Sequence, residues 1–152
     1  MRVAIGADHA GYEMKRDLAG RLAQGGHEVL DLGTHSTAAV DYPDIAEAVA
    51  TAIRNGQVDR GVIVCGSGAG VSVAATKFPG VRAATCHDCY TAKQAVEHDD
   101  VNVLCLGARV VGPQLAWTLV EAFLGASFSG EERHMRRLGK IDAIESRFLR
   151  DE

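Results

Sequence analysis

The sequence predicts an α/β fold: a three-layer, doubly wound (Rossmann-like) sheet of five parallel strands flanked by helices. Three observations predict it. Five short apolar runs alternate along the chain with amphipathic stretches, the pattern that builds a parallel sheet from strand–helix–strand units. The run at 61–65, Gly-Val-Ile-Val-Cys, is apolar on both alternating faces, which suits a central strand covered on both sides. Glycines number 17 against 3 prolines, the balance expected where many strands turn tightly into helices.

The elements follow in order. Residues 3–6 form the first strand. Over 11–24, Met14, Leu18 and Leu22 recur every four residues, the spacing of a helix face. Residues 28–32 form the second strand, closed by Gly33. After a polar loop, Pro43 opens a helix carrying Ile45, Ala46, Val49, Ala50 and Ile53. Residues 61–65 are the third strand, 66–70 a glycine loop and 71–77 a short helix. A fourth strand at 81–85 precedes a helix over 89–97. A fifth strand at 102–106 leads to a helix running from Pro113 to about Leu124. In the charged segment 129–152, Met135, Leu138, Ile141, Ile144 and Phe148 recur at three-to-four spacing and predict a terminal helix.

At 152 residues the chain reads as one domain, 1–152, since domains run to roughly 150 residues. Its 47% hydrophobic and 24% charged content is that of a globular protein. The formal net charge of −4 argues against a general nucleic-acid surface. No apolar run is long enough to span a membrane, and the opening Met-Arg-Val-Ala-Ile-Gly reads as a strand rather than a secretion signal. Four cysteines, at 65, 86, 89 and 105, are then expected as thiols in a cytoplasmic protein.

In a doubly wound sheet ligands sit beyond the carboxyl ends of the strands, so the segments following the strands are the informative ones. The strongest is Cys65-Gly66-Ser67-Gly68-Ala69-Gly70. A glycine loop there exposes backbone N–H groups that can hold a phosphate, a carboxylate or a transient oxyanion. Beside it a cysteine can serve as base or nucleophile. The alternative is a tight turn after a buried structural cysteine. A dinucleotide fingerprint, a P-loop and a phosphatase loop each fail at Val71, where glycine or alanine, lysine and arginine respectively would be needed. Asp8-His9 after the first strand can bind sugar hydroxyls or move protons, or can cap a helix. His98-Asp99-Asp100 offers a general acid, or a solvated loop. Cys86-His87-Asp88-Cys89 holds a single C-x-x-C, a weak zinc signal, and reads as ordinary thiols. Arg133, His134, Arg136, Arg137 and Lys140 form a basic cluster in an acidic protein. Arg133 and Arg137, four apart, can share one helix face and suit a phosphate, or the cluster is a solvated face.

Taken together these segments resemble the ribose-5-phosphate isomerase B family, which also includes the galactose-6-phosphate isomerase subunits. The resemblance covers nearly the whole chain. It rests on G-A-D-H-A-G (6–11), D-L-G-T (31–34), D-Y-P-D (41–44), V-C-G-S-G-A-G-V-S-V-A-A-T-K-F-P-G-V-R-A (64–83), N-V-L-C-L-G-A-R-V-V-G (102–112) and R-H-x-x-R (133–137). It implies an aldose–ketose isomerase of phosphosugars that works through a cis-enediolate, without metal or cofactor. It implies Cys65 as the base, His98 as the acid in ring opening, and Ser67 with the N–H groups of Gly66, Gly68, Ala69 and Gly70 as the cradle of the enediolate oxygens. Asp8, His9, Tyr42 and Asp99 fall in the implied substrate site. Arg109, Arg133, His134 and Arg137 fall there too, the three arginines as phosphate ligands and the terminal pair from a partner subunit. The segment 129–152 is thus expected to pack on another copy in a homodimer or tetramer, with no nucleic-acid or membrane partner. Some relatives carry a glutamate base directly after the glycine loop; here that position is Val71 and Cys65 is present. The family commonly has asparagine after the histidine, where this chain has Asp99. Asparagine can donate a hydrogen bond, whereas ionised aspartate only accepts. A tetrulose 4-phosphate or a hexose 6-phosphate is therefore the alternative substrate, and a non-catalytic sugar-phosphate-binding module the alternative function.

Overall fold

A computed structural model describes residues 1–149. Five strands, β1 (Arg2–Ala7), β2 (Glu28–Asp31), β3 (Arg60–Cys65), β4 (Ala83–Thr85) and β5 (Val103–Gly107), form one sheet in the order β2-β1-β3-β5-β4. Every pairing is parallel. The helices are α1 (Tyr12–Gln24), α2 (Tyr42–Arg54), α3 (Ala69–Ala75), α4 (Cys89–Asp99), α5 (Pro113–Gly125) and α6 (Glu132–Phe148). The predicted three-layer fold is the observed one.

Side-chain alternation along β3 divides the core. Val62 and Val64 point to the layer holding Leu18, Leu22, Leu119 and Phe123, on α1 and α5. Ile63 and Cys65 point to the opposite layer, with Ile45 and Val49 of α2 and Val71 of α3. Cys65 thus sits on the α2–α3 face, at the carboxyl end of the central strand.

Most boundaries shift by one or two residues from the sequence reading, and four shifts bear on the site or on the chain's end. α3 begins at Ala69, so the glycine run is a three-residue loop, 66–68, followed by the first turn of a helix. β4 starts at Ala83 rather than 81, because the Arg82 N–H donates to Asn102 Oδ1 at 2.8 Å and the Val81 N–H to the Phe78 carbonyl at 3.1 Å. α4 runs on to Asp99, which puts His98 in a helix rather than a loop. α6 starts at Glu132, not 129, and its described part ends at Phe148; residues 150–152 of the expected terminal helix lie outside the described residues. Among the described residues no helix is long and apolar enough to cross a membrane.

Candidate active site

At the carboxyl edge of the sheet an open cavity of about 510 Å³ is lined by Asp8, Tyr42, Cys65, Gly66, Ser67, Gly70, Arg109 and Val110. That volume is in the range of small-ligand sites. Its floor is backbone. The Gly68 N–H donates to Cys65 Sγ at 3.1 Å and the Ala69 N–H to Ser67 Oγ at 3.2 Å. Among the described residues the N–H groups of Gly66, Ser67, Gly70 and Val71 have no protein acceptor. Four donors without partners around one buried thiol form a cradle for an anionic oxygen.

Packing fixes the cradle. Gly68 has φ +82°, and a Cβ there would come within 2.9 Å of Thr85 Cγ2. Thr85 Oγ1 also donates to the Gly68 carbonyl at 2.8 Å. A Cβ on Gly107 would lie 2.7 Å from the Ser67 carbonyl. The Gly107 N–H donates to His87 Nε2 at 2.9 Å. The Ala108 N–H donates to the Cys65 carbonyl at 2.8 Å and the Arg109 N–H to that of Gly66 at 3.1 Å. The end of β5 therefore locks the loop after β3 and delivers Arg109 to the cavity rim. The Arg109 guanidinium makes no hydrogen bond or ion pair among the described residues, which leaves it free for an anion. The Tyr42 ring lies over Gly70, within 2.8 Å of where a Cβ would stand. Asp8 has two tasks: it lines the cavity, and its Oδ1 accepts the N–H groups of Ala10 and Gly11 at 3.0 and 3.1 Å, ordering the turn into α1. His9 is exposed outside the lining, its Nδ1 accepting the Val40 N–H at 3.2 Å.

The remaining expected residues gather elsewhere. α4 runs back from the carboxyl edge, and its last turn carries His98 and Asp99 toward the start of β5. There Val103 pairs with Gly61, whereas Cys65 pairs with Gly107 at the other end. Four residues of strand separate the two levels, about 13 Å at 3.3 Å per residue. α5 returns to the same amino edge and α6 starts beside the end of α4, so His98 meets His134 there: their rings stack with centroids 4.0 Å apart and 26° between planes. Arg133 and Arg137 are exposed on the same first turns of α6. Arg133 pairs with Glu131 at 3.1 Å, while Arg136 is engaged with Glu132 at 2.9 Å. One chain therefore carries two separated groups, a thiol cradle at one edge of the sheet and a histidine–arginine cluster at the other.

The cysteines separate by environment. Burial, then Asp88, pushes the Cys86 thiol up to about 11, and burial raises Cys105 well above the ordinary thiol value. Both stay protonated core groups. Cys89 is exposed at the start of α4, where Asp88 Oδ1 caps the helix by accepting the Thr91 N–H at 2.8 Å. Among the described residues no group of three or more His, Cys, Asp or Glu is arranged to hold a metal ion.

Sequence reasoning passed over Thr85 and His87, the supports of the cradle, and Lys15. Lys15 is buried, and its Nζ donates to Asp31 Oδ1 at 2.8 Å and to the Thr34 carbonyl at 2.7 Å, fixing the loop after β2. His87 was visible only as a spacer inside C-x-x-C. A lysine beside Met14 on a predicted helix carries no sign that it will be buried.

A sequence model of the family described as Ribose/Galactose Isomerase matches residues 3–141. The chain is 45% identical over 146 residues to ribose-5-phosphate isomerase B of Escherichia coli, covering 96% of this chain and 97% of that protein. It is 41% identical over 131 residues to D-erythrulose-4-phosphate isomerase of Pectobacterium atrosepticum, covering 86% of each. The solved structure of ribose-5-phosphate isomerase B from Clostridium thermocellum superposes with a TM-score of 0.96 at 48% identity, over 98% of this chain and all of that one.

Proposed function

Because the chain belongs to the Ribose/Galactose Isomerase family and is a sugar-phosphate isomerase of the aldose–ketose type, we propose that it interconverts D-ribose 5-phosphate and D-ribulose 5-phosphate with Cys65 as the base. The observation that carries the reading is the buried Cys65 thiol set among four unpaired backbone N–H groups and the free Arg109. Removing a proton beside a carbonyl places negative charge on two neighbouring oxygens. Backbone donors already aimed at that position stabilise the charge without reorganising. Cys65 takes the proton from one carbon and returns it to the next. Ser67 and the cradle hold the enediolate oxygens, while Asp8, His9 and Tyr42 line or flank the sugar.

The cyclic aldose must first open. His98 gives a proton to the ring oxygen as the C1–O bond breaks, and the C1 hydroxyl loses its proton to solvent as the carbonyl forms. His98 lies far from Cys65 within one chain, so the active species in this proposal is a cytoplasmic homodimer. Its two-fold axis sets the cradle of one subunit against His98, Asp99, Arg133 and Arg137 of the other. A two-fold interface repeats each contact, so both sites are completed together. The exposed apolar residues Ile141, Ile144 and Phe148 on α6 suit the same interface. The arginines anchor the remote phosphate and so orient the reacting carbons.

The test is turnover of ribose 5-phosphate together with deuterium uptake from heavy water, for wild type and Cys65→Ala. Loss of both in the variant supports the base assignment; near-wild-type turnover overturns it. A non-catalytic binding module would bind the sugar phosphate with no deuterium uptake in either protein. Asp99 favours a second substrate reading. Its exposed carboxylate ends α4 where the family commonly has an amide, and one relative is named for a four-carbon substrate. A panel of tetrose, pentose and hexose phosphates with wild type and Asp99→Asn decides this. Improved pentose turnover with weakened use of another sugar makes Asp99 a specificity determinant.

A further inference from the structure

Ser129 lies outside every motif and every helix, yet it ties together the two helices that carry the histidine–arginine cluster. Its N–H donates to the carbonyl of Glu97 at 2.9 Å, one residue before His98. Its Oγ lies 2.6 Å from His134 Nδ1 and accepts the Glu131 N–H at 3.2 Å. On the other side of the same ring, Arg133 Nε donates to His134 Nε2 at 3.3 Å. A guanidinium only donates, so Nε2 is the acceptor and the ring proton sits on Nδ1, directed at Ser129 Oγ. His134 is only 3% exposed. Both its nitrogens are engaged, and the His98 ring stacks on it.

We propose that His134 is a positioning residue and not a phosphate ligand: a neutral imidazole, locked by Ser129 and Arg133, that holds the His98 ring in the orientation for proton delivery during ring opening. The inference rests on the reading of His98 as the ring-opening acid. The charged and titratable groups facing His134 are His98 on α4 and Glu131, Arg133 and Arg137 at the start of α6. A second proton on His134 would displace the Arg133 donor and add a cation to a group already holding two arginines. Burial, followed by His98 and Arg133, accordingly holds its pKa below the ordinary histidine value. Such an imidazole is a poor anion ligand but a rigid platform. Ser129 makes the platform specific, because it fixes the ring through Nδ1 and fixes the backbone beside His98 through Glu97.

Ribulose 5-phosphate supplies a readout that separates positioning from general damage. Its C5 oxygen is esterified, so it cannot close a furanose ring and reaches the enediolate without ring chemistry. The aldose formed from it must still close. If His98 is misoriented, the open aldehyde returns to the enediolate more often before it leaves. Deuterium uptake into the ketose then rises relative to net conversion. The experiment measures both rates by NMR in heavy water, starting from ribulose 5-phosphate, for wild type, Ser129→Ala, Ser129→Thr, Ser129→Val and His98→Asn. Ser129→Ala is expected to raise the uptake-to-conversion ratio about three- to ten-fold, part of the roughly 10²–10⁴-fold that a positioned general acid contributes. Ser129→Thr restores the hydroxyl and the wild-type ratio. Ser129→Val, of the same shape as threonine, raises it again and serves if the alanine variant does not fold. A ratio unchanged in the folded hydroxyl-less variants, with both rates falling together, overturns the inference and leaves the proposed function standing. A ratio unchanged in His98→Asn, or a wild type that neither converts nor labels ribulose 5-phosphate, instead removes the reading beneath it and the inference with it.

Discussion

The two edges of the sheet are built from different materials. The cradle at the carboxyl edge is backbone: its donors are peptide N–H groups, its shape is set by Gly68 and Gly107, and it is braced from β4 and β5. The cluster at the amino edge is side chain: two stacked imidazoles and two exposed arginines on the ends of two helices. Stabilising charge that develops during a reaction calls for donors that do not move, and backbone held by packing supplies them. Gripping a phosphate and delivering a proton call for long or titratable side chains that meet the substrate as it settles. In the proposed dimer neither edge suffices alone, and that yields the test with the largest expected effect. Cys65→Ala should lower kcat by on the order of 10³-fold, within the span of a lost general base, with the thermal melt little changed. His98→Asn should lower conversion of the cyclic aldose strongly while sparing deuterium uptake by the ketose. Mixing the two inactive dimers under exchange conditions should then restore about one quarter of wild-type activity, because half the dimers are mixed and each mixed dimer has one intact site of two. No recovery after proven exchange would place both edges' residues at one site within a single chain and break the comparison.

The second test asks whether the cradle is as rigid as its packing implies. A Cβ on Gly107 meets the Ser67 carbonyl at 2.7 Å, which is backbone and cannot swing away. Gly107→Ala should destabilise the fold by about 1–3 kcal/mol, the usual cost of overpacking, and should depress turnover beyond that loss because Ser67 must shift. Gly20 is the control. It lies inside α1 with nothing within 4 Å of its Cβ position, so Gly20→Ala should stabilise by roughly 0.5–1 kcal/mol with turnover intact. Denaturant midpoints and kcat on the three proteins check both. Equal melts for Gly107→Ala and wild type would mean that the cradle yields.

The same division governs how much was legible in the sequence. The fold was almost wholly so, because short continuous apolar runs, helical leucine spacing and Pro43 and Pro113 at helix starts are local signals, and the observed elements differ from that reading by a few residues. The glycine loop after Cys65 was legible as a candidate anion cradle, with a tight turn after a buried structural cysteine as the alternative. The amino-edge cluster was legible only as separate pieces. His98 lies 35 residues before Arg133, and only the return of α5 along the sheet brings them together. His98 directly follows the helix expected over 89–97, and the observed α4 takes it in as its penultimate residue. Ser129 gave no signal at all: a serine in a polar connection is commonplace, and its role exists only through the Glu97 carbonyl and the His134 ring.

The smallest effect concerns the neutral state of His134. Burial, then His98 and Arg133, lower its pKa in the folded chain from the ordinary value of 6.5. Below that value the unfolded chain binds the proton more readily than the folded one, so acidification favours unfolding. The contribution of the neutral ring is complete above 6.5, declines as pH falls below it, and is gone once the pH has passed the lowered folded value. The Arg2–Asp59 pair titrates only below the ordinary carboxyl value of 3.8. Its hydrogen bonds hold the Asp59 carboxyl below its ordinary 3.8, so that contribution is present above 3.8 and is lost only as the pH falls through the still lower folded value. Urea midpoints taken at about pH 8 and about pH 5.5 should therefore fall less in His134→Gln than in wild type, since glutamine has no proton to gain. An equal acid-side loss in both proteins would show that His134 is as readily protonated folded as unfolded. The amino edge would then be a cluster of cations gathered for the phosphate, and the contrast between a rigid platform and the arginines around it would dissolve.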